Sequence, residues 1–138
     1  MPKVVRFGVS LDQELLEKFD RLTKEKNYTC RSEALRGLIR QELVQKQWEN
    51  GGEIAGAVTL VYDHHKRELV NKLMDIQHDF GETIISTQHI HLDHNNCLEI
   101  IAVKGSPKEA RKLTNSLTSV KGVKHATLNM STTGEGIK

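Results

Sequence analysis

The sequence predicts an α+β chain of two domains. A strand–helix–helix unit spans residues 1–50, a β-α-β-β-α-β domain of ferredoxin-like order spans residues 51–132, and a flexible tail covers 133–138. Three observations carry this. The hydrophobic period switches from two to helical spacing within the first twenty residues. The pattern is lost between Gln45 and Gly52, ending in Gly51-Gly52. Beyond that point strand-like and helix-like runs follow one another in the order of a split βαβ fold.

Val4 to Leu11 alternates. Val5, Phe7, Val9 and Leu11 share one face and Arg6, Gly8 and Ser10 the other, as in a half-buried strand. Asp12 opens a helical run with Leu15, Leu16, Phe19 and Leu22 at helical spacing, and Lys26-Asn27-Tyr28-Thr29 breaks it. A second helix carries Ala34, Leu35, Leu38, Ile39 and Leu43. A lone strand leaves its backbone groups unpaired, so the sequence predicts a dimer in which two copies of it pair antiparallel. Gln45 to Gly52 reads as the interdomain hinge, with Trp48 either covering a domain edge or serving as plain packing.

The second half begins with a strand at Glu53–Tyr62, followed by a helix at Lys66–Asp79 and a strand at Thr83–Leu92. The turn Asp93-His94-Asn95-Asn96 leads to a strand at Cys97–Lys104, a helix at Pro107–Ser119 and a strand at Val123–Met130. The last helix is the best marked. Ser106 is its N-cap, Pro107 its first residue and Glu109 the capping-box partner, while Gly122 suits the turn after its end. From Thr133 the tail is short and polar and is expected to fray.

Composition narrows the class. The chain has 138 residues, 37% apolar and 28% charged, which are ordinary globular values. There is no apolar run of membrane-spanning length and no apolar leader, so a cytoplasmic protein with no membrane partner is expected. The two cysteines, Cys30 and Cys97, do not make a disulfide framework. Net charge is only +2, and the small surplus lies in the first fifty residues, which is weak evidence for nucleic acid by itself.

Seven histidines are present, four of them between residues 78 and 94. His89 and His91 stand at i and i+2 of a strand and therefore leave the same face, with Ile90 and Leu92 directed oppositely, toward the expected helix layer. If the hairpin pairs His91 with Cys97, the thiol joins that face and three ligands converge. His78 lies roughly 140–150° from the centre of its helix's apolar stripe, so it points away from its own core and is placed to serve a neighbouring chain. Each feature has an ordinary explanation when taken alone: a surface histidine pair, a small buried cysteine. Together they point to a metal site. Two imidazoles, a thiolate and a further imidazole suit Zn, Cu or Ni, and ligand type does not choose among them. Glu99 follows on the Cys97 face as a group that would hold a ligand's proton. His64, His65, His94 and His125 read as surface residues.

The segments Arg6-Phe7-Gly8-Val9-Ser10, Arg31-Ser32-Glu33-Ala34-Leu35-Arg36 and His89-Ile90-His91-Leu92-Asp93-His94-Asn95-Asn96-Cys97-Leu98-Glu99 resemble the nickel-responsive regulators of the NikR family, in its order and spacing. The resemblance runs from Arg6 to about Met130 and implies a ribbon-helix-helix domain joined to a ferredoxin-like (ACT-like) metal domain. It implies one Ni2+ per subunit, held by His89, His91 and Cys97 of one chain and His78 of another. It further implies a homotetramer, a dimer of dimers, that represses nickel uptake genes at a palindromic operator in double-stranded DNA. Arg6, Gly8 and Ser10 would face the bases in the major groove, Arg31 and Ser32 would anchor phosphate at a helix start, and Lys66 and Arg67 would touch phosphate from the metal domain. Gly8 departs from the hydroxyl-bearing residue often found there, Cys30 from an asparagine cap, and Gly37 from an acidic residue of a second cation site.

Two other classes compete. An antitoxin-like repressor would use its second half to hold a protein partner. A small metalloenzyme would need an open coordination position and a substrate cleft. The nickel regulator, which is not an enzyme, accounts for more of the residues.

Overall fold

In the computed structural model the described residues are 3–138, so the first two residues of the expected N-terminal domain lie outside it. The order of elements is α1 (Gln13–Glu25), α2 (Arg31–Asn50), β1 (Ile54–Asp63), α3 (Arg67–Asp79), β2 (Ile84–His91), β3 (Asn96–Gly105), α4 (Pro107–Thr118) and β4 (Val123–Met130). The chain divides into two compact units, one ending at Arg40 and one running from Gln41 to Lys138.

In the first unit residues 4–11 are exposed and carry no regular structure in the single chain. The reason is the one that predicted a dimer: a strand needs a partner for its backbone, and a single chain holds none here. Asp12 caps α1 by accepting a hydrogen bond from the Glu14 amide. Asn27, at φ 59°, closes the turn to α2. The ring of Tyr28 then lies over Gly37, where a Cβ would collide with the Tyr28 hydroxyl. That contact gives a packing reason for glycine at the position where the resemblance expects an acidic side chain.

The region Gln45–Asn50, expected as a hinge, is helical, because α2 continues unbroken to Asn50. Its end belongs to the second unit. Trp48 is 3% exposed, donates its indole N–H to the Ser131 carbonyl at 2.8 Å, and packs against Gly56 with Arg111 over the ring. The division of the chain therefore falls about one helical stretch before Gly51-Gly52, and Trp48 packs into a core, the plain packing its sequence also allows. The tail also departs from expectation, since Glu135 and Thr132 both bond to Gln47.

The sheet of the second unit has the order β2-β3-β1-β4, antiparallel at each junction, which is the ferredoxin-like arrangement. Alternate residues of β1 (Ile54, Val58, Leu60, Tyr62) and β3 (Cys97, Ile101, Val103) are buried, and they pack with Leu69 and Leu73 of α3 and Leu113 and Leu117 of α4. The helices thus share one face of the sheet. Ser106 caps α4 by accepting from the Glu109 amide at 3.2 Å, with Pro107 at the first position, as its sequence predicts.

Candidate metal centre and nucleic-acid interface

The β2–β3 hairpin sets the geometry of the centre. His91 stands opposite Cys97, and His89 opposite Glu99. Residues directly opposite in an antiparallel pair extend to the same side, so all four share a face. That face is the helix-packed one, because Cys97 and Glu99 are each 1% exposed alongside Ile101 and Val103. The sequence reading is corrected here: Ile90 and Leu92 do not point toward the helices, and His89 and His91 do not point away. The interior strand β3 fixes the face through its buried alternation. The edge strand β2 is exposed at most of its positions and carries no such alternation to read.

Helix α3 closes over this face through Gln77. Its amide donates to Glu99 Oε2 at 3.3 Å and accepts from the Thr87 hydroxyl at 3.3 Å. Glu99 Oε1 lies 3.1 Å from His89 Nε2, and the Tyr62 hydroxyl 3.4 Å from His89 Nδ1. Burial pushes the Tyr62 phenol well above its ordinary range, and the neighbouring Glu99 and Cys97 charges push it further. Tyr62 is therefore a neutral donor. The set is satisfied when His89 Nε2–H donates to Glu99 and Nδ1 accepts from Tyr62. Both ring nitrogens are thus engaged, and a metal ion would displace one of these partners while the other orients the ring.

Around His91 the structure gathers side chains that sequence reading left on the surface. His64 stacks on His91 with centroids 4.4 Å apart and planes 6° apart. His65 lies 4.2 Å from His64, and His94 lies 5.0 Å from His65. His64 Nε2 is buried without a hydrogen-bond partner. The pairing of Asp63 with Asn96 brings the loop after β1 beside the β2–β3 turn, and only that register could have revealed the cluster. His125 stays exposed on β4.

His78 is exposed on α3 and borders an open groove of about 400 Å³ that also includes Tyr62, Gln77, His89 and Glu99. Among the described residues, no three His, Cys, Asp or Glu side chains converge on one point within the chain. The donor chemistry still fits a borderline metal ion. A buried thiol and two imidazoles share one hairpin face, a buried carboxylate is aimed at one imidazole, and a third imidazole stands outside.

The expected DNA-contacting residues are accessible. Arg6, Gly8 and Ser10 are exposed, and so are Ser32, Lys66 and Arg67. Arg31 is already engaged: its guanidinium donates to both Asp20 oxygens at 2.9 Å, which raises its pKa and lowers that of Asp20. Lys66 occupies the N-cap of α3, where its ammonium, a donor only, makes no cap bond. Cys30 is exposed, and its carbonyl accepts from the Ala34 amide at the start of α2.

A two-helix head with an unpaired, alternating N-terminal segment, joined to a ferredoxin-like domain that groups imidazoles with a thiol, is the design of a DNA-binding regulator governed by a small ligand. Residues 5–46 match the profile of ribbon-helix-helix proteins of the CopG family, and residues 55–131 match that of the NikR C-terminal nickel-binding domain. The chain belongs to the NikR family of nickel-responsive regulators. It is 60% identical over 135 residues to a protein of Syntrophus aciditrophicus (98% of each chain) and 58% identical over 134 residues to one of Chlorobium limicola (97% of this chain, all of the other). Across 138 residues it is 54% identical to one of Nitratidesulfovibrio vulgaris (99% of each). Each is described as a candidate nickel-responsive regulator. The fold alone is shared with an uncharacterized protein of Thermotoga maritima, at TM-score 0.51 and 16% identity, over 55% of this chain and 94% of the other. The family is one of regulators and not of enzymes, and among the described residues no helix is long and apolar enough to cross a membrane.

Proposed function

We propose that this chain is a nickel-dependent repressor that binds a palindromic operator and lowers the expression of nickel uptake genes in the cytoplasm. The observation that carries the reading is the hairpin register. It sets His89, His91 and Cys97 on one face and leaves His78 outside on an exposed helix, as a site shared between chains requires. In the proposed site one Ni2+ per subunit is held by His89, His91 and Cys97 of one copy and His78 of another. The bound ion supplies charge that holds these ligands in one arrangement.

The chain's own groups prepare the site. Glu99 and Tyr62 orient His89, and Gln77 ties Glu99 to α3. Cys97 would give up its proton on binding, as a thiolate ligand must. In the proposed homotetramer, a dimer of dimers, the apolar face of the first unit supports the pairing of two copies. Val5, Phe7 and Val9 are exposed in the single chain, and a second copy would both cover them and pair the strand. The paired ribbon places Arg6, Gly8 and Ser10 against base edges in the major groove, with Arg6 suited to a bidentate contact with guanine. Ser32, Arg31, Lys66 and Arg67 serve phosphates. Coupling between such linked sites is typically about 1–3 kcal/mol.

The test is DNA footprinting of parent and His89→Ala protein, each with and without stoichiometric nickel. Protection of two half-sites is expected for the parent with nickel. The variant should show none, although its nonspecific DNA affinity persists. A full nickel response in the variant would sink the site assignment.

A further inference from the structure

Residues after β4 leave the sheet by one further bond, from the Ser131 amide to the Ala55 carbonyl at 3.0 Å, and then double back over the end of α2. The Ser131 carbonyl receives the Trp48 indole N–H. The Thr132 hydroxyl donates to Gln47 Oε1 at 2.9 Å and accepts from the Gly134 amide at 3.1 Å. Gly134 and Gly136, at φ 90° and 76°, make a left-handed turn that other residues would adopt only with strain. The Ile137 amide closes that turn on the Gly134 carbonyl. The turn presents the Glu135 carbonyl to Gln47 Nε2 at 3.0 Å. One glutamine amide is thus used at both ends by two points of the tail. The tail is thus tied to the last turns of α2 through the side chains of Gln47 and Trp48.

We propose that residues 131–138 form a strap that locks the last turns of α2 against the sheet of the second unit and keeps those turns from unwinding. Both partners of the strap, Gln47 and Trp48, lie with it in the second unit, Gln41–Lys138. Apart from the indole of buried Trp48, which bonds to Ser131, the contacts are hydrogen bonds made by exposed or half-buried residues, so a chain ending at Ser131 loses them while keeping the residue that holds Trp48.

Amide hydrogen exchange on the full chain, on Gln47→Ala and on a chain ending at Ser131 tests this without reference to nickel or DNA. In both altered proteins the amides of Gln45–Asn50 should exchange about tenfold faster or more, while those of α4 keep their protection. The fluorescence of Trp48 should move to the red in the shortened chain. Unchanged exchange over Gln45–Asn50 in both proteins would overturn the proposal. So would an equal acceleration in α4, which would make the tail a general stabiliser and not a local lock.

Discussion

Glu99 is a carboxylate with almost no exposure, held between the imidazole of His89 and the amide of Gln77. A buried charge is costly unless it is paired, and these partners are what keep it there. Glu99→Gln preserves the shape and removes the charge. Outer partners of metal-binding imidazoles are commonly worth about 10–100-fold in affinity, so nickel binding by competition titration should weaken by that factor. Unchanged affinity would reduce Glu99 to packing. At the hairpin turn, Asp93 is held down to about 2 by the Asn96 side chain first, then by the Asn96 and Asn95 amides. A carboxyl depressed in the fold stabilises it above its ordinary pKa of about 4, and the contribution is lost as pH falls from there toward 2. An NMR titration should therefore place the Asp93 midpoint near 2 and, in Asn96→Ala, move it back toward the ordinary value. A midpoint near 4 in the parent would contradict the turn's geometry.

At the scale of elements, Gly56 of β1 explains how α2 ends. A Cβ there would fall 2.5 Å from the Asn129 carbonyl oxygen and 3.2 Å from the Trp48 ring. The first of these is backbone and cannot yield cheaply. Gly56→Ala should cost about 1–3 kcal/mol, read as a lowered thermal midpoint, and a parental melting curve would refute the contact. The same elements show what a sequence can tell. The start of α1 at Asp12, the cap of α4 and the six elements of the sheet domain are legible, because each is written in local periodicity or capping chemistry, whereas the His91–Cys97 pairing enters the sequence reading only as an assumed register. The face on which His89 and His91 lie was not, since β2 is an edge strand and only the buried neighbours on β3 decide it. The stacking of His64 on His91 was also hidden, because it depends on a pairing between strands more than thirty residues apart in the chain. The end of α2 was misread as a hinge, since helix continuity there rests on Trp48 meeting Gly56 and Ser131, which no local pattern encodes.

At the scale of the whole molecule, the first unit shows a surface that a single chain leaves wet. Phe7 is 71% exposed, and α1 has no buried residue. Phe7→Glu should yield a smaller particle by analytical ultracentrifugation and abolish the operator footprint. A parental mass for the variant would show that this face is not where copies meet. The second unit has the opposite character at its most reactive atom. Cys97 sulfur is sealed beneath the hairpin, with its hydrogen directed to the Leu98 carbonyl. A thiol kept from water is also kept from peroxides and from exchange with other disulfides. By the same reasoning the exposed Cys30 should be oxidised ahead of Cys97.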